Sequence, residues 1–163
     1  MRNLRGERAS VEQARRRWIP LLTAAGEQQD DLLGKCAWCI WTAWTHEQEA
    51  SRYLRSQEQD EPPSYGSWRL AACQQAVLEA LDAWDTLLVE LTARPAQPDA
   101  VLWPGAPAHA LATYQAACRA EIRRCRAWAY RVQEAFLKQI EGKRVLFRFA
   151  EPSSLEEAEA WDQ

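Results

Sequence analysis

Glycine is scarce in this chain, with six among 163 residues, and histidine is scarcer, with only His46 and His109. No serine is framed by glycines, no phosphate-cradling loop is present, and the two histidines are not spaced as a metal-binding pair. The usual sequence signatures of nucleophilic hydrolases, phosphate-binding loops and zinc peptidases are therefore missing. The expectation is a non-enzyme that needs no cofactor. The stretch Met1 to Arg17 is polar and has no apolar core, so no secretory signal is expected. The longest bulky uncharged run, Cys36–Trp44, falls far short of the ~20 residues that span a bilayer. Five cysteines cannot all pair with one another, and four of them fall within helical patterns. Reduced thiols in a cytoplasmic protein without membrane contact are expected.

What the chain has in excess is tryptophan: Trp18, Trp38, Trp41, Trp44, Trp68, Trp84, Trp103, Trp128 and Trp161. Each indole can bury a large area and wants a partner for its N–H. Either the core is thickened by aromatics, or some indoles face a partner, as at binding hot spots. Trp84 falls on a core seam, and Trp38, Trp41 and Trp44 crowd an apolar segment. Trp103, Trp128 and Trp161 are the ones expected to meet a partner, or to staple the linker and tail down.

Charge is unevenly spread. Residues 1–17 hold six arginines against Glu7 and Glu12, a net of +4. Residues 119–148 hold nine basic residues against Glu121, Glu134 and Glu141, a net of +6, which leaves −13 on the remainder. That acidity sits in 27–31, in 58–61, on the third helix and in the tail from Glu151 to Asp162.

Apolar periodicity predicts four helices. The first starts near Ser10, with Gln13 completing a capping box, and carries Val11, Ala14, Trp18, Leu21, Leu22 and Ala25. Pro20 should kink or break it and Gly26 should stop it. The second is capped by Asp30 or Asp31 and runs to about Gln57. Its stripe is Leu32, Cys36, Cys39, Ala43, Ala50 and Leu54, with His46 on the same line. Residues 36–44 are apolar all round and are expected to be surrounded by protein. After the loop Asp60-Glu-Pro-Pro-Ser, Ser67 can cap a third helix whose seam is Leu70, Cys73, Val77, Leu81, Trp84, Leu88 and Leu91. Pro95 ends it. A proline-rich linker over 95–107, pinned by Trp103, leads to a fourth helix over Ala108–Ile140 with Leu111, Tyr114, Cys118, Ile122, Cys125, Ala129, Val132, Phe136 and Ile140 as its seam. Gly142 stops it. Lys143–Phe149 alternates like an extended arm, and an acidic helix ends near Trp161. The fold class expected is all-α: an irregular four-helix bundle with a C-terminal extended arm and a short acidic helix. It forms one domain over 1–163, with 1–9 flexible and 143–163 as the arm.

Cys36-x-x-Cys39 places two thiols on one helical face, but a zinc ion needs four ligands. His46 lies about 10.5 Å along the axis from Cys39, too far to share an ion in a continuous helix. The plainer reading of these cysteines is small core hydrophobes. A small metal or redox protein is kept as an alternative. The stronger signal is the fourth helix. Arg119, Arg123, Arg126 and Tyr130 follow i, i+4, i+7, i+11, and Arg124, Arg131 and Lys138 repeat every seven residues, with Trp128 interleaved. Guanidinium groups beside aromatics suit phosphate contacts and base stacking. They could equally be neutralised by Glu79, Asp82, Asp85 and Glu90 of the third helix, or by the tail. The leading expectation is a non-catalytic subunit of a larger assembly. It would contact protein neighbours, and a nucleic-acid backbone through the fourth helix. A further alternative is an acidic adaptor or inhibitor that binds a basic protein.

Overall fold

The computed structural model describes residues 12–28, 30–55, 63–93 and 101–140, with side chains left aside at 55, 63–67, 139 and 140. These residues form four main helices: α1 (Ile19–Gln28), α2 (Asp31–Arg55), α3 (Pro63–Thr92) and α4 (Ala110–Ile140). The all-α bundle is as expected. The N-terminal lead through Val11, the arm at 143–149 and the acidic tail lie outside the described residues.

Helix boundaries follow from local chemistry. Residues 12–16 are helical, and the backbone breaks at Arg17 and Trp18 before α1 begins. Pro20 has no N–H to carry the ladder back one turn. Trp18 N–H instead bonds tightly to Arg15 O at 3.1 Å, and Leu22 N–H resumes the ladder on Trp18 O at 3.0 Å. Gly26 does not stop the helix, which continues to Gln28. Asp30 caps α2: its Oδ1 accepts from the N–H groups of Leu32 at 2.8 Å and Leu33 at 3.3 Å. The third helix begins at Pro63 rather than at Ser67, because proline's fixed φ and missing donor suit the first helical position. The fourth begins at Ala110, after a turn in which Gly105 takes φ 86. L-side chains avoid that region, so the turn relies on this glycine.

The three long helices, α2, α3 and α4, run up, down and up. Cys73 Sγ donates to Ala50 O at 3.4 Å. Cys118 Sγ donates to Trp84 O at 3.1 Å, and Gln115 Nε2 to Leu91 O at 3.3 Å. α3 is the central helix and packs against both α2 and α4, while α1 lies on α2. Its central place explains a shift in its seam. The buried positions are Leu70, Cys73, Ala76, Val77, Ala80, Ala83, Trp84, Leu87 and Leu91, a broad arc facing two neighbours, while Leu81 and Leu88 are only half-buried. The expected α2 stripe is displaced in the same way: Leu33 and Glu47 are buried where Leu32 and His46 were expected.

An aromatic cluster closes the end where α1 meets the start of α4. Trp18 stacks obliquely on Trp84 at 5.5 Å and on Tyr114 at 5.1 Å between ring centroids. Trp103 reaches Tyr114 at 6.0 Å, which pins the linker as expected. Tyr114 Oη donates to Arg17 O at 2.7 Å, at the helix break. One buried phenol thus ties together the N-terminal break, the linker and two helices.

Candidate functional site

The eight residues singled out on the fourth helix do not share a face. Successive residues turn by about 100°, so Arg119, Arg123, Arg126 and Tyr130 fall within about 60° of one another, whereas Arg124 and Trp128 lie roughly 140° and 180° from Arg119. The structure sorts them accordingly. Arg119, Arg123, Arg126 and Tyr130 are exposed, as is Lys138. Arg119, Arg123 and Arg126 form the cationic row, while Lys138 lies about 100° around the helix from Arg119 and faces the partly exposed Glu134. Arg131 is half-buried and meets Glu134 at 3.3 Å, which Lys138 also approaches at 3.5 Å.

Arg124 and Trp128 depart from the expected strip because both are core residues. Trp128 is fully buried, and its indole N–H meets no acceptor. Arg124 lies between two carboxylates. Its guanidinium pairs with Glu47 of α2, and it donates to Glu121 Oε2 through Nε at 2.9 Å and through a terminal nitrogen at 2.7 Å. Trp84 Nε1 donates to the second oxygen of Glu47 at 3.3 Å, so three long helices converge on one carboxylate. Cys125 Sγ lies 3.8 Å from Glu47 Oε1. Buried charges survive only when paired and hydrogen-bonded, as here. This cluster positions α4 against α2 and fixes its rotation, which in turn holds the arginine row outward.

Glu47 is the residue the sequence reading missed, since only its neighbour His46 was placed on the apolar line of this helix. A usable signal existed. Leu33, Cys36, Ile40, Ala43, Glu47, Ala50 and Leu54 step by three and four, and an acid on such a seam demands a buried cation. The acidic side of α3 is also engaged otherwise than expected. His46 of α2 lies 3.1 Å from Glu79 and 3.6 Å from Glu49, so one of those carboxylates faces α2.

A second feature lies across the bundle. Residues 36–44 were expected to be enclosed, yet Trp38 is 74% exposed and Trp41 57%. The reason is that α2 packs mainly against α3 and α1 and meets α4 on the side of Glu47, which leaves the side of Trp38 and Trp41 open. Beside it, Arg15, Arg16, Ile19, Leu22, Thr23, Trp41 and Trp44 line a groove of about 490 Å³. Trp41 and Trp44 meet edge to face at 5.3 Å.

All five cysteines are buried and free. Burial pushes the Cys73 and Cys118 thiols up to about 12, and raises Cys39 with help from Glu90. Thiols raised in this way stay protonated, which makes Cys39, Cys73 and Cys118 poor nucleophiles. Among the described residues no group of three or more His, Cys, Asp or Glu side chains is placed to hold a metal ion. No described helix is long and apolar enough to cross a membrane. Comparison with protein-family models, with curated proteins and with solved structures finds no match to this chain.

Proposed function

We propose that this chain is a non-catalytic helical subunit of a larger assembly, and that the outward face of α4 lies along a nucleic-acid backbone. The observation that carries this reading is the uniform sign of that face. Arg119, Arg123 and Arg126 span about 10 Å along one side of the helix with no exposed carboxylate between them, and Tyr130 stands in the row. Guanidinium groups neutralise phosphates, and an interleaved phenol offers a stacking surface. The chain as a whole is acidic, with pI ≈ 5.5. Its own affinity is therefore weak, and the row acts as one segment of a composite groove shared with protein neighbours. Buried reduced thiols suit a cytoplasmic setting.

The test is fluorescence anisotropy with a labelled single-stranded oligonucleotide at several salt concentrations. Three or four neutralised phosphates give a log–log salt slope of about −2 to −3. Arg119→Glu/Arg123→Glu/Arg126→Glu should lower affinity by at least about tenfold and flatten the slope, while Arg52→Glu on α2 should do neither. Unchanged binding by the triple variant overturns the proposal.

A further inference from the structure

The α1–α2 groove lies apart from the arginine row and carries a different message. Its walls are apolar, from Ile19, Leu22, Trp41 and Trp44, and its rim keeps a net positive charge, from Arg15 and Arg16 with Glu12 3.9 Å from Arg16. Arg17 is exposed on the adjoining break. An occupant that fits must bring an apolar anchor and negative charge. A second copy of the chain seated groove to groove would set these arginines against themselves. Residues 1–11 fit no better, since Arg2, Arg5 and Arg8 outweigh Glu7.

We propose that the occupant is the chain's own segment 151–163. It holds Glu151, Glu156, Glu157, Glu159 and Asp162 with no basic residue, and offers Leu155 and Trp161 as anchors. Its carboxylates meet Arg15 and Arg16, and an anchor seats against Ile19, Leu22 and Trp41. The reach is sufficient. α2 and α4 run in the same direction, with Glu47 beside Arg124, so the groove sits about 33 Å back along the bundle from Ile140. The fifteen residues from Ile140 to Leu155 can extend to about 50 Å.

The test is photo-crosslinking in the full chain with p-benzoylphenylalanine in place of Trp161, followed by peptide mapping. The expected product is monomer-sized and joins position 161 to residues 15–23 or 38–44. Its yield should fall by about tenfold in Glu156→Lys/Glu157→Lys/Glu159→Lys, and similarly in Arg15→Glu/Arg16→Glu. A dimer-sized product, attachment elsewhere in the chain, no attachment, or a yield indifferent to both sets of charge reversals overturns the proposal.

Discussion

Arg124→Met is the most informative single perturbation. The methionine stem keeps much of the packing, so the change isolates the charge. Arg124 and Glu121 are almost fully buried in their side chains, and Glu47 is wholly so. Removing the guanidinium takes the counter-charge from two carboxylates in a site with little access to water. Breaking a buried ion pair in this way costs about 3–5 kcal/mol. Set against total stabilities of about 5–15 kcal/mol, that is a large fraction of the fold. In a domain of this size it corresponds to a fall in Tm of roughly 6–20 °C. Urea denaturation followed by far-UV circular dichroism reads the loss as a lower midpoint with unchanged slope. Arg123→Met, one residue away on the exposed face, should stay within about 0.5 kcal/mol of the parent. Arg124→Met/Glu47→Gln/Glu121→Met removes all three charges, keeps an acceptor for the Trp84 indole, and should recover most of the loss. A cost below about 1 kcal/mol for Arg124→Met would refute the argument, since it would mean the cluster is hydrated.

Two further changes test other parts of the fold. Trp18→Ala removes the ring packed on Trp84 and Tyr114 and should cost about 3–5 kcal/mol by urea denaturation, with faster proteolysis within residues 12–28. The thiols set a pH dependence. Cys73 and Cys118 ionise near 9 when unfolded but near 12 in the fold, so their contribution is complete below pH 9 and is lost as pH rises toward 12. The urea midpoint should decline through that window, less steeply in Cys73→Ala/Cys118→Ala than in the parent, and native protein at pH 8 should resist thiol-specific reagents until unfolded.

Much of the fold was legible because local chemistry and packing agree. Asp30 as a cap, Pro20 as a breaker and Trp103 as a pin each act through a neighbour a few residues away, or through one ring contact. Boundaries were less legible where two stop signals compete: Gly26 yields to the continuing ladder, and Pro63 pre-empts Ser67. Cys36, Cys39, Ala43 and Ala50 hold the expected α2 seam, but Glu47 replaces His46 on it because both lie near the apolar line, and only the position of Arg124 on another helix decides between them. Exposure of Trp38 and Trp41 was not legible at all. An apolar circumference says that a helix could be enclosed, and not that enough neighbours exist to enclose it.

The separation of the arginines on α4 follows from helical geometry and not from their number. Adjacent Arg123 and Arg124 differ by about 100° around the axis, so one faces solvent and the other Glu47. A fold that only needed solubility could place its charges with both signs mixed on each face. Here Arg119, Arg123 and Arg126 form a cationic row on α4, while Glu79 and Asp82 are exposed on α3 and the open face of α2 presents Trp38 and Trp41. Three neighbouring helices thus offer three different surface chemistries, held in fixed rotation by one buried guanidinium. That division suits a chain that meets different neighbours on different sides. It also makes Arg124 the residue through which damage to the core should reach the outward row: Arg124→Met should weaken oligonucleotide binding although it exposes no changed side chain, and the compensated triple variant should restore it.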